Sequence, residues 1–303
     1  MNSEEFVALS LTPLIVGCFA AVACALPGNF LVLRRQALIG DAISHVVLPG
    51  IVVAFLLGGT IATAPMLAGA TAAALVAVAM IEGIRRFGKI EPGAAMGVTF
   101  TTLFAAGVLL LELSDTSGVH LDVEHALYGN LESLIWLDAT GWASLVDPTA
   151  IAGLPQELFR ILIVLVAIVV LATVFWRPLA ISTFDEGFAA TLGLPVTLIS
   201  LGLVVVSALA AVAAFDAVGS IIVIAMFICP PAAARLMTNR LGRQVAWSVL
   251  FALISAILGF VLAGYGPIWL GGENAVSAAG MIATVSGLIL ATTALAGPVR
   301  RGA

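Results

Sequence analysis

Apolar residues run through this chain in nine long blocks separated by short polar stretches, at about 11–33, 37–58, 61–83, 94–112, 159–176, 196–214, 217–237, 245–264 and 276–296. A helix needs roughly 20 mostly apolar residues to cross the hydrocarbon of a bilayer. Each block therefore reads as a candidate transmembrane helix, and eight crossings remain open if one block is re-entrant or split. Nine crossings put the N-terminus outside and the C-terminus inside. The pattern predicts a long polar outer segment over 113–158, an inner loop over 177–195, a tight outer turn at Phe215-Asp216 and a Gly-rich outer turn over 266–275.

Composition agrees with that reading. The 303 residues are 62% hydrophobic and 10% charged, with a mean hydropathy of +1.19. A soluble domain carries about a quarter charged residues. The expected fold is all-α, a polytopic membrane bundle of eight or nine helices forming one domain over 1–303. Met1-Asn-Ser-Glu4-Glu5 has no basic flank and does not read as a cleaved signal peptide. Cys18, Cys24 and Cys229 all lie in apolar blocks, so they read as packing residues rather than a disulfide framework.

The net charge is −5, but its distribution says more. Arg34-Arg35, Arg85-Arg86 with Lys89, Arg177, Arg235, Arg240, Arg243 and Arg300-Arg301 all fall on alternate loops; Arg160 is the exception. Lys and Arg concentrate in cytoplasmic loops, which places that end of the molecule inside the cell. The opposite segments are acidic, with Glu112, Asp115, Asp122, Glu124, Glu132, Asp138, Asp147, Glu157 and Glu273 joining Glu4 and Glu5. That face either raises the local cation concentration or merely reflects the exclusion of basic residues from translocated loops.

One block contains chemistry. Asp41 and His45 lie at i and i+4 in Ala37-Leu-Ile-Gly-Asp-Ala-Ile-Ser-His-Val-Val-Leu-Pro-Gly50, on one helical face. An ionisable residue at bilayer depth costs roughly 2.5–3.5 kcal/mol on insertion scales. A carboxylate beside a neutral imidazole makes a partial shell for a divalent transition metal. Pro27-Gly28, Pro49-Gly50 and Pro230-Pro231 interrupt the blocks, with Gly17 and Gly97. They read either as close-packing positions, as does Gly93-x-x-x-Gly97, or as broken helices around a transport path. The prolines just after Asp41 and His45 favour the second.

Other chemistries are absent from the sequence. Lys89 is the only lysine and no phosphate-binding Gly-x-x-x-x-Gly-Lys loop exists, so ATP would have to bind elsewhere. Ser44 and His45 are adjacent and diverge by about 100° on a helix, so they are not a nucleophile–base pair. No enzyme active site is expected.

Five segments in order carry a resemblance: Ala37–Gly50 above, Glu91–Phe100 (EPGAAMGVTF), His125–Ser133 (HALYGNLES), Phe184–Gly193 (FDEGFAATLG) and Ala213–Met237 (AAFDAVGSIIVIAMFICPPAAARLM). Together they resemble the membrane permeases of ATP-binding-cassette importers for zinc, manganese and iron. The resemblance implies a fold similar to vitamin and siderophore importer permeases, acting with a second permease copy or paralogue. It implies a cytoplasmic ATP-binding subunit, an extracytoplasmic metal-binding protein and a multi-pass location among the lipids of the bacterial inner membrane, with no nucleic acid. It implies no permanently bound cofactor; Mn2+, Zn2+ or Fe2+ would be cargo. By position Asp41 and His45 match path-lining residues. Phe184, Asp185, Glu186 and Gly193 match the segment that couples to the ATPase, where Asp185 and Glu186 suit a helix start.

Two further residues stay open. Asp216, read as sitting at a helix N-terminus, is a capping residue or a secondary metal or gate residue. His125 is a metal contact, a packing residue or a binding-protein contact; His120 is a surface loop residue. The rival readings are a proton-coupled secondary metal carrier with Asp41 and His45 as a relay, a permease for a larger chelate, and a membrane scaffold without transport.

Overall fold

The computed structural model describes residues 3–58, 63–113, 131–269, 271 and 275–297. Among these, every regular element is helical. Helix α1 spans Thr12–Leu33 and follows a helical turn at Ser3–Phe6 and a π-helical turn at Val7–Leu11. Then come α2 (Ile39–Gly58), α3 (Thr63–Gly88), α4 (Pro92–Leu113) and α5 (Gln156–Val174). Two short helices follow, α6 (Trp176–Phe184) and α7 (Glu186–Thr191). The chain closes with α8 (Val196–Val218), α9 (Ser220–Met237), α10 (Leu241–Trp269) and α11 (Ala278–Ala296). Nine helices among the described residues are long and apolar enough to cross a membrane.

Lipid offers the backbone no hydrogen-bond partners, so a spanning segment must bond internally. This is why the apolar blocks become helices. It also decides what happens at the prolines. Pro27, Pro49, Pro230, Pro231 and Pro267 all lie inside continuous helices, so the expected broken helices are not found. Proline removes only its own N–H. Pro231 leaves the carbonyl of Phe227 without its helical donor, and the backbone of α1 packs onto that carbonyl at Gly28, where a Cβ would come within 2.5 Å of the oxygen. The ring of the fully buried Phe227 rests on Gly40 at the start of α2, where a Cβ would lie 2.7 Å from it. Phe227 thus joins α9 to both α1 and α2.

The predicted Gly93-x-x-x-Gly97 contact is absent within the chain; nothing lies within 4 Å of a Cβ at either glycine. Close approach falls instead at Gly50 and Gly69, where α2 meets α3 backbone to backbone.

Three expectations about the connections change. The inner loop over 177–195 is mostly helical, forming α6 and α7. The described part of the outer segment carries short 3-10 turns at Leu131–Ser133 and Trp142–Leu145 and a helix at Pro148–Ala152. It is fastened to the bundle: Glu132 accepts from the Ala278 amide at 2.6 Å, and the indole of buried Trp136 donates to the Ala150 carbonyl at 2.7 Å. The turn expected at Phe215-Asp216 lies three residues on, at Gly219, whose φ of +80° suits glycine.

Glycine at position 28 is required by the carbonyl facing it. Gly28→Ala is expected to destabilise the purified protein by about 1–3 kcal/mol, the usual range for overpacking, whereas Gly97→Ala leaves the isolated chain unchanged. Thermal unfolding in detergent checks both.

Candidate functional site

Asp41 lies in the first turn of α2, where the helix dipole favours a carboxylate. His45 follows one turn later, and its Nε2 is 3.4 Å from Asp41 Oδ1. Both side chains are about a third exposed, at 30% and 37%. The imidazole is held from the other side by α4. It stacks on Phe100, with ring centroids 5.3 Å apart, and meets the edge of Phe104 at 5.7 Å. Phe100 closes the Glu91–Phe100 segment singled out in the sequence; Phe104, one turn further, was not recognised, although i,i+4 aromatics are readable from spacing.

The spacing of the two donors has chemical content. Nitrogen and oxygen ligands each sit about 2.1 Å from a bound zinc-like ion. At a tetrahedral angle two such donors are roughly 3.4 Å apart, so the Asp41–His45 separation matches the bite of one shared ion. No third His, Cys, Asp or Glu joins them among the described residues. Beyond the pair, a cavity of about 690 Å3 opens among α2, α3 and α4, lined by Pro49, Val53, Ala72, Leu103 and Leu110 among others. Its wall is apolar and offers an ion little to hold. His125 and His120 lie outside the described residues.

Asp216 is not at a helix N-terminus. It sits two residues before the end of α8, and the next helix starts beyond Gly219. A carboxylate near a helix C-terminus is disfavoured by the dipole, and an ion pair compensates: Arg160 of α5 donates from Nη1 to Asp216 Oδ2 at 2.6 Å. Arg160 also reaches Gln156 Oε1 at 3.4 Å. This explains the one basic residue that breaks the loop pattern. Its odd placement was the available signal that it has a partner. The Asp216 carboxylate is already matched with a cation, and the structure does not bring it to Asp41 and His45.

The segment 184–193 forms a capped, short helix. Asp185 is the N-cap of α7, with its side chain accepting from the Phe188 amide at 2.8 Å. Glu186 follows in the first turn. At the other end, Gly193 at φ +75° and Leu194 donate to the carbonyls of Ala190 and Ala189, a Schellman stop. The helix thus starts and ends where the sequence indicated. Phe184, Phe188 and Leu192 are each more than half exposed. Phe188 and Leu192 were not singled out beforehand. Three large exposed apolar side chains on a helix this short mark a contact surface rather than a solvated loop.

An all-helical chain with nine membrane-length helices, a carboxylate–imidazole pair on one of them and an exposed apolar helix between two others has the build of a multi-pass transport permease. The chain belongs to the ABC 3 transport family, whose model matches residues 8–139 and 150–295. It is therefore an ABC transporter permease subunit, not an enzyme. It is 39% identical over 282 residues to the manganese transport system membrane protein MntD of Bacillus subtilis, covering 93% of this chain and 90% of that one. It is 36% identical over 290 residues to the zinc transport system membrane protein TroD of Treponema pallidum, covering 96% and 74%. Its fold is similar to a chain of PsaBC from Streptococcus pneumoniae solved in complex with Fab, with a TM-score of 0.73, 28% identity and coverage of 96% and 92%.

The ion pair can be weighed by a double-mutant cycle. Arg160→Gln is expected to destabilise by about 1–3 kcal/mol, because it leaves the Asp216 carboxylate without its cation. Adding Asp216→Asn recovers most of that loss. Thermal unfolding of the four proteins checks this; strictly additive effects mean that the pair is not coupled.

Proposed function

We propose that this chain is the membrane permease of an ATP-driven importer for a divalent transition-metal ion, manganese, zinc or iron, in a bacterial inner membrane. The observation that carries the reading is the Asp41–His45 pair, two metal-type donors 3.4 Å apart on a membrane-length helix. Relatives named for manganese and zinc transport support the cargo class. On this reading the basic end of the bundle faces the cytoplasm, by the charge rule for membrane loops. A second permease, a copy or a paralogue, faces the apolar cavity and completes the path. An extracytoplasmic binding protein delivers the ion at the acidic end, and Asp41 and His45 replace part of its hydration shell. Two protein donors are too few for a tight site, since a structural zinc site has four. That weakness suits transit, which needs entry without trapping. A cytoplasmic ATPase docks on Phe184, Phe188 and Leu192, with Asp185, Glu186 and Gly193 shaping the helix that presents them. No permanently bound cofactor is needed.

The chain reconstituted with its ATPase, second permease and binding protein is expected to take up metal only with ATP. Asp41→Ala and His45→Ala each lower uptake by at least about tenfold, the lower bound for disturbing even the outer shell of a metal site. Wild-type rates in both folded variants remove the pair from the path. Uptake that needs no ATP and collapses with a proton uncoupler makes the chain a secondary carrier instead. Competition among Mn2+, Zn2+ and Fe2+ in the same vesicles identifies the cargo.

A further inference from the structure

Arg34 ends α1, and its guanidinium spreads over three hydroxyls from distant parts of the chain. Nε donates to Thr183 Oγ1 at 3.0 Å, Nη2 to Ser182 Oγ at 2.8 Å and Nη1 to Ser200 Oγ at 2.7 Å. Ser182 and Thr183 are in the last turn of α6, directly before the Asp185 cap of α7. Ser200 lies in the second turn of α8, directly after the Gly193 stop. Arg34 therefore holds the exposed helix by both of its flanks. Only a planar fork with fixed donor directions reaches three separate acceptors in this way; a lysine ammonium cannot.

The other side of Arg34 leads to the metal-type pair. The turn after it is hydrogen-bonded at each step, with Arg35 donating to Val32, Gln36 to Leu31 and Ile39 to Gln36, at 3.2, 2.8 and 3.1 Å. Arg35 takes a left-handed φ of 58° to close it, and Gln36 is buried. The first turn of α2, with Asp41, begins three residues after Gln36. A displacement of α7 is thus delivered through Arg34 and a stiff turn to the helix carrying Asp41 and His45.

The chemistry of the clamp suits a moving part. Breaking a buried pair between two charges costs about 3–5 kcal/mol, whereas a hydrogen bond from a charged group to a neutral partner contributes about 1.5–3 kcal/mol. Hydroxyls rotate, so the fork can exchange partners as helices shift. Burial lowers the Arg34 pKa below the ordinary arginine value, nearby Glu186 of α7 opposes this, and Arg85 at the end of α3 adds to it. The charge of Arg34 is therefore sensitive to where α7 stands.

We infer that Arg34 is the positioning residue that transmits movement of the ATPase-facing helix to the ion path. This rests on the ATP-driven importer reading above. The test uses the full complex in proteoliposomes, measuring Mn2+ uptake and ATP hydrolysis in the same vesicles. Wild-type vesicles without ATP-dependent uptake would overturn the importer reading, and this inference with it. With wild-type uptake established, Arg34→Lys is expected to assemble at normal stoichiometry and hydrolyse ATP at a near-normal rate. Its Mn2+ moved per ATP falls by about fivefold or more, the low end of coupling between distant sites. The double variant Ser182→Ala/Thr183→Val, which leaves the arginine in place, shows the same uncoupling in smaller degree. An unchanged Mn2+-to-ATP ratio in both variants overturns the inference. So does failure of both to assemble, which makes the clamp a structural fastening only.

Discussion

The contact on which the bundle most depends is Phe227 of α9 set against glycines of α1 and α2. Lipid tails are as apolar as side chains, so helices in a bilayer gain little by hiding apolar surface from them. They associate where backbones come close enough for dense van der Waals contact. Phe227 provides two such contacts at once: its carbonyl, freed by Pro231, against Gly28, and its ring against Gly40. Gly40 precedes Asp41, so the residue that ties three helices together also sets where α2 begins. The position of the carboxylate is thus fixed by packing on its own helix start rather than by the polar groups around it.

From that start, helical geometry does much of the rest. One turn brings His45 beside Asp41, and α4 supplies Phe100 and Phe104 to keep the imidazole from swinging away. The aromatic wall lowers the number of arrangements open to the side chain, so less order has to be imposed when an ion arrives. At the other end of the polar network, α7 is a six-residue helix, too short to be stable by propensity. It exists because Asp185 closes its first turn and Gly193 its last. Its exposed Phe188 is therefore presented by local capping, with Arg34 fastening the flanks.

Most of this architecture was readable in the sequence, because lipid makes the relation between apolar length and helix nearly one to one. The nine blocks, the Asp41–His45 face and the limits of α7 follow from length, period and capping chemistry, all local properties. What was not readable depends on partners far along the chain. Asp216 looked like a helix start because a carboxylate interrupts an apolar run. The break comes at Gly219, where φ is positive, and Arg160, 56 positions away, is what makes the carboxylate tolerable. The prolines looked like breaks because their cost is usually counted within one helix; here a neighbouring backbone packs onto the freed carbonyl. The hydroxyl partners of Arg34 lie 148 to 166 residues away and carry no signal of their own.

The geometry of the pair also bears on how one ion would be chosen over another. A 3.4 Å separation admits any divalent ion with bonds near 2.1 Å, and a carboxylate with an imidazole suits manganese, iron and zinc alike. Two donors of ordinary character therefore set which class of ion can pass but not which member. The apolar cavity beside them adds no further donor. Discrimination must then come from groups that this chain does not supply, either ligands from a second permease completing the shell or the selection made by whatever delivers the ion. A permease that binds weakly and selects little can still serve a selective system, provided that ions enter only from a selective donor. This division explains how so sparse a pair can sit at the centre of the path: tight binding there would slow release, while the selectivity it lacks is cheaper to impose before the ion enters the membrane.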